Sequence, residues 1–159
     1  MLDSMKYAGT MHLTLRGPDG EIKDERHQKN VLTNVGKTYL IQSTMDSSLT
    51  AMTVFYVGKT ATGAGGELAN DTTGSTDEIF RQAFTYATGA TVGQASATST
   101  IAASGAGGAT TTAITEAGIF NGQAAANSGD GVLFARAIFA AVNKGAADSL
   151  EIKWDIAYS

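Results

Sequence analysis

Residues Leu150 to Tyr158 alternate without a break. Leu150, Ile152, Trp154, Ile156 and Tyr158 fall on one face, and Glu151, Lys153, Asp155 and Ala157 on the other. Strand side chains switch faces with period two, so this segment is predicted to be a half-buried strand with one wet face. Leu150, Ile152, Trp154 and Ile156 are its expected contribution to the core. Trp154 is the only tryptophan, and it is expected to be the central plug. The segment speaks for an all-β framework and says nothing of catalysis.

The rest of the chain reads the same way. Thr10 to Arg16 alternates, with Met11, Leu13 and Leu15 inward and Thr10, His12, Thr14 and Arg16 outward. Gly17-Pro18-Asp19-Gly20 supplies a turn, with proline where its fixed φ suits the first turn position. The return arm, Glu21 to Gln28, has one clear apolar residue, Ile22, and is expected at an exposed edge. Asn34 is predicted to cap a short helix from about Val35 to Met45, with Val35, Tyr39 and Leu40 on one side. Thr50 to Val57 reads as a buried strand, 58–77 as a long loop, and Glu78 to Thr88 as a strand with Phe80, Phe84 and Tyr86 aligned. Gln82 to Thr115 carries no charged residue. Flanked by strong strands, it is expected to hold a Thr/Ser-rich strand and a Gly-rich turn at Ser104 to Gly108. Three strands follow: Thr112 to Phe120, Val132 to Val142 and Asp148 to Tyr158.

The prediction is an all-β, single-domain β-sandwich, jelly-roll-like, of about seven to eight antiparallel strands with one short helix near residues 35–45. Residues 1–9 form an N-terminal arm and 10–159 the domain. At 159 residues the chain can bury a core without staples. A formal charge of −4 gives no basic footprint for nucleic acid. Charged residues are 16% of the chain, against about 25% in an ordinary domain, which suits a surface packed against other proteins. There are no cysteines, which excludes disulfides, thiolate metal sites and a cysteine nucleophile. The N-terminus lacks a signal-peptide pattern, and no apolar run reaches the ~18 residues that would span a bilayer. Synthesis and folding in a cytoplasm are expected.

No candidate chemistry completes itself. A phosphate loop needs a glycine five residues before its Gly-Lys. Val31 and Thr53 occupy that place before Gly36-Lys37-Thr38 and Gly58-Lys59-Thr60, so both triplets fail. The Gly63 to Gly66 cluster is a flexible loop by default. His12 and His27 lie on opposite arms of the first hairpin and could approach on its outer face. Without a third ligand of matching spacing they are expected to be exposed hairpin residues rather than a metal pair. Asp71, Asp77 and Glu78 match no calcium loop. Glu116 and Arg136 are the more telling charges, each inside an apolar strand. Pairing Phe120 with Val132 places Glu116 opposite Arg136 as a structural cross-strand pair. Pairing Val142 with Ser149 would instead place Arg136 opposite Asp155.

Three segments carry a resemblance: Arg26 to Tyr39 (RHQKNVLTNVGKTY), Ala113 to Gly122 (AITEAGIFNG) and Val132 to Ser159 (VLFARAIFAAVNKGAADSLEIKWDIAYS). In these the chain resembles a family of tailed-bacteriophage virion proteins with a "KN-hydrophobic-x-TxxG" segment and an "ITEAGIFN … NKG-x-x-DSL-x-I-x-W" ending. The match covers about half the chain, and the last motif is the most specific.

The resemblance implies a non-enzymatic structural role, as a capsid decoration or cement protein on the outside of the head, made in the host bacterial cytoplasm. A tail, baseplate or fibre component is the alternative it leaves open. A glycan- or receptor-binding module is a weaker reading, because the 58–77 loop carries no aromatic residue. The implied partners are the major capsid protein and further copies of the chain, in a trimer or else a dimer. Nucleic acid, membrane, a small-molecule substrate, cofactors and a metal are not expected. In the arm, apolar Leu2, Met5 and Tyr7 have no hairpin partner and are the expected contacts to a neighbour.

Overall fold

The computed structural model describes residues 6–58, 78–103, 112–122 and 131–159. In chain order the elements are β1 (Tyr7–Arg16), β2 (Ile22–Lys29), β3 (Val31–Leu32), α1 (Asn34–Ser43), β4 (Met52–Gly58), β5 (Glu78–Ala83), β6 (Thr85–Thr88), β7 (Gln94–Ile101), β8 (Thr112–Asn121), β9 (Leu133–Lys144) and β10 (Ser149–Tyr158). They form two antiparallel five-stranded sheets, ordered β2-β1-β10-β7-β6 and β3-β9-β8-β4-β5. The architecture is the predicted all-β sandwich with one short helix.

The terminal strand lies at the middle of the first sheet. β10 pairs with β1 on one side, placing Trp154 beside Met11, and with β7 on the other, placing it beside Ala97. Its apolar face meets that of the second sheet. Met11, Leu13, Leu15, Leu150, Ile152 and Trp154 pack with Phe55, Val57, Ile114, Ile119 and Phe134 in one buried cluster. Trp154 is fully enclosed and stacks on Phe55, with ring centroids 5.9 Å apart at an interplanar angle of 29°. Ile156 is only partly buried, at the margin of this cluster.

The first hairpin turns where expected. The Gly20 amide donates to the Gly17 carbonyl, and Gly20 adopts φ 84°, which its missing side chain permits. β2 ends its sheet as predicted, and its residues explain why. Its less exposed side carries Asp24, Arg26 and Gln28, with Asp24 and Arg26 ion-paired, so it has no apolar face to cover. Inward-facing charge also blunts an edge against stray pairing.

Four expectations need correction. Tyr7 belongs to a strand rather than an arm. β1 pairs with β10 from Tyr7↔Tyr158 onward, and reciprocal backbone bonds between Lys6 and Ser159 extend the ladder. The helix is capped by Thr33, one residue before the predicted Asn34. Its hydroxyl accepts from the Gly36 amide at 2.9 Å and donates to the Leu133 carbonyl, which ties the helix start to β9. The aromatic run at 78–88 is two strands, because the chain leaves the second sheet as β5 and enters the first as β6. Phe84 sits at the crossing, its amide bound to the Thr53 carbonyl. This split, together with the two-residue β3, raises the count to ten described strands. Finally, β9 and β10 lie in different sheets. The register that set Arg136 opposite Asp155 is therefore not formed.

Candidate functional site

The wet face of the first sheet gathers titratable groups. His12 faces His27 in the β1–β2 register, and their Nδ1 atoms stand 2.9 Å apart. On the other side of His12, Nε2 lies 3.2 Å from the Asp155 carboxylate. Asp155 is held in turn by the Ser96 hydroxyl and by the Lys153 ammonium at 3.1 Å. Burial pushes the Asp155 carboxyl up, but the Ser96 and Lys153 hydrogen bonds outweigh it and leave it below the usual carboxylate range. The order along this array is Ser–Asp–His–His. The serine touches the carboxylate rather than an imidazole, so nothing in the array withdraws its proton, and it is not the relay of a hydrolase.

The outer side of the second sheet is buried and partly charged. Tyr56 packs over Gly118, where a Cβ would collide with the Tyr56 ring and lie 2.8 Å from the Ala135 carbonyl oxygen. Val54, Tyr56, Phe120 and Leu133 form a second apolar cluster here. Arg81 is 1% exposed, with its guanidinium 4.3 Å from the centroid of the Phe120 ring, a favourable cation–π placement. Glu116, also 1% exposed, is ion-paired with Arg136. The pairing is the predicted one, but the backbone register is not. Bulges after Ile114 and Ile119 bring Glu116 opposite Ile138 and Gly118 opposite Arg136, so the pair closes diagonally.

Tyr7 is an anchor of the end of the sandwich. Its ring meets Phe134 and Tyr158 edge-on, and its hydroxyl accepts from the Asn30 side-chain amide at 2.5 Å. Burial pushes its pKa up to about 12, with the Asn30 bond opposing. Leu2 and Met5 lie outside the described residues. Beside this corner an open apolar groove of about 390 Å³ runs beneath α1, lined by residues including Tyr39, Phe84, Tyr86, Phe134 and Tyr158. The neighbouring surface exposes Val31, Ile41 and Met45.

The remaining sequence candidates do not assemble. Lys37 is exposed on α1 and bonds to Asn34 Oδ1, as an ordinary helix-surface lysine does. Asp71, Asp77, the Gly63–Gly66 cluster, most of the second Gly-Lys-Thr triplet and the Ser104–Gly108 turn lie outside the described residues. Among the described residues no three His, Cys, Asp or Glu side chains converge as a metal cluster, and no helix is long and apolar enough to cross a membrane.

Sequence reasoning missed Arg81 and the Ser96–Asp155 contact. Nothing in the pattern of residues 78–88 marks Arg81 as buried, and nothing in a Thr/Ser-rich strand marks one serine as a carboxylate partner. Compared with known protein families, curated proteins and solved structures, the chain matches none.

Proposed function

We propose that this chain is a structural protein of a tailed-phage virion, a decoration or cement protein that binds the outside of the head shell. One observation carries the reading. The three segments that resemble virion proteins form connected framework rather than scattered surface. They supply the end of β2, β3 and the start of α1, all but the first residue of β8, and the whole of β9 and β10. β3, β9 and β8 are neighbours in one sheet, and β10 is the middle strand of the other. Exposed Val31, Ile41 and Met45 add apolar area of the kind a shell contact buries. Leu2 and Met5 are proposed as further contacts, whereas Tyr7 is spent on the fold.

Copy number per virion tests this. Quantitative mass spectrometry should find on the order of hundreds of copies, since decoration follows the symmetric repetition of the shell. A few to a few dozen copies would move the protein to the tail, baseplate or fibre. Deleting residues 1–5 spares the Tyr7–Tyr158 pair and should lower occupancy on purified heads. Unchanged occupancy would remove Leu2 and Met5 from the contact.

A further inference from the structure

We infer that His12 and His27 form a two-histidine site for a divalent transition metal that prefers right-angled coordination, copper(II) first and nickel(II) next. The two Nδ1 atoms lie 2.9 Å apart on adjacent strands. Imidazole nitrogens bind divalent metals at about 2.0–2.1 Å, so two of them on one metal are about 2.9 Å apart at a right angle and about 3.3 Å apart at the tetrahedral angle. The observed spacing fits cis positions of a square or octahedral ion and is short for tetrahedral zinc. The ring planes are steeply inclined at 84°, with centroids 4.7 Å apart. To aim both lone pairs at one ion beside the N···N line, each ring must turn by about 45° from its hydrogen-bonded direction, a movement open to side chains on the wet face of the sheet.

The second shell is already built. Metal-bound histidines characteristically donate their other ring N–H to a carboxylate, which fixes the tautomer and raises basicity. His12 Nε2 faces Asp155, itself held by Ser96 and Lys153. With its proton on Nε2, His12 presents a bare Nδ1, so in the metal-free pair the proton between the two Nδ1 atoms belongs to His27. Metal binding requires only that neutral His27 carry its proton on Nε2 instead; no net proton is lost. The polar and charged groups sharing this face include Thr10, Thr14 and Arg16 on β1, Glu25 and Lys29 on β2, and Glu151, Lys153 and Asp155 on β10. Lys153 opposes a nearby cation and Asp155 offsets it. Two protein ligands leave the other positions to water, so the ion is exchangeable and is not a structural staple.

The test is titration of the intact protein with copper(II), nickel(II) and zinc(II) near neutral pH, by calorimetry and, for copper, by electron paramagnetic resonance. One copper per chain should bind with hyperfine coupling from two imidazole nitrogens, and affinity should fall in the order copper, nickel, zinc. His12→Gln and His27→Gln should each weaken copper binding at least ~10-fold, and Asp155→Asn by ~10–100-fold. The double variant His12→Gln/His27→Gln measures the background from the terminal amine. Both histidines are on the wet face, so circular dichroism of the variants should match the parent. Equal binding by parent and double variant would overturn the inference. So would a copper spectrum with fewer than two imidazole nitrogens, or a preference for zinc.

Discussion

Removing the Trp154 side chain tests the account of the core most directly. The residue is 0% exposed and is clasped between Met11 and Ala97 within its sheet and Phe55 across the sandwich. A buried tryptophan hides about 150–250 Å², worth roughly 4–6 kcal/mol at ~25 cal/mol per Å². Its stacking adds about 0.5–1.5 kcal/mol. Against this, the indole Nε1 is buried with only an irregular contact to the Tyr7 hydroxyl, so the substitution relieves part of the desolvation cost of about 1–3 kcal/mol that a wholly unsatisfied group would carry. The net expectation for Trp154→Ala is a loss of about 3–5 kcal/mol, the usual range for such a truncation. At about 2–4 °C per kcal/mol for a chain of this size, Tm should fall by about 6–20 °C. Trp154→Phe keeps most of the stack and removes the poorly bonded indole N–H, so it should cost under about 1.5 kcal/mol. Urea unfolding followed by far-UV circular dichroism is the appropriate assay, because both variants lose the only indole fluorophore. The midpoint should move without a change in slope, and a protein-concentration series separates fold stability from association. A loss below about 1 kcal/mol for the alanine variant, or equal losses for both variants, would refute the reasoning.

Three further perturbations discriminate among the remaining contacts. Gly36→Ala would ordinarily strengthen a helix by about 0.5–1 kcal/mol, but a Cβ here collides with the Phe134 carbonyl. The sign should therefore reverse, to a loss of about 1–3 kcal/mol in thermal melts. Arg136→Met removes the ion-pair contact of buried Glu116 and should cost about 1.5–3 kcal/mol, more than the double variant Glu116→Met/Arg136→Met measured in the same way. In acid, the Asp148 carboxyl is held below its usual range by the Gly145 amide and then by Lys23. A carboxylate of depressed pKa contributes stability that is present above its unfolded value of about 3.9 and is lost as pH falls through the folded value. Asp148→Asn should flatten the decline of stability below about pH 4, and an unchanged slope in acid-unfolding curves would show that other groups govern it.

Legibility tracked how local the determining physics is. β10 could be placed within a residue or two because it alternates from Leu150 to Tyr158, and β8 and β9 within a few residues because each is a largely apolar run bounded by polar, glycine-containing segments. The Glu116–Arg136 pair was found by setting Phe120 opposite Val132, yet its register was two residues out. A bulge adds a residue to one strand without altering the periodic pattern. Glu78 to Thr88 was read as one strand for a related reason. The chain changes sheets at Phe84, so Phe80 and Tyr86 share parity in sequence but belong to different sheets. Tyr7 looked unpartnered because its partner, Tyr158, is the far end of the chain. Pairing between the termini leaves no mark on either segment alone. The histidine pair sits between these cases. Hairpin geometry put the two rings on one side, whereas the Nδ1 spacing and the carboxylate behind His12 depend on side-chain conformation and on β10, which pairs with β1 from the other end of the sequence.

That spacing bears on function because of what holds it. His12 projects from β1, whose far side carries buried Met11 and Leu13 and which is locked to β10 from Tyr7 to Arg16, whereas His27 projects from the edge strand β2, which is held by its ladder to β1. One donor strand is thus positioned by the core and the other by pairing to it, so the register of the two donors is set before an ion arrives. The apolar surface invoked for shell binding, Val31 with Ile41 and Met45, belongs to β3 and to the helix α1 and the turn that follows it, associated with the opposite sheet. Metal affinity and head occupancy therefore draw on separate surfaces. His27→Gln should weaken the first at least ~10-fold while leaving the second intact, and deletion of residues 1–5 should lower the second while leaving the first. A variant that lost both would show that the two surfaces are coupled through β1, the strand that connects the N-terminal residues to His12.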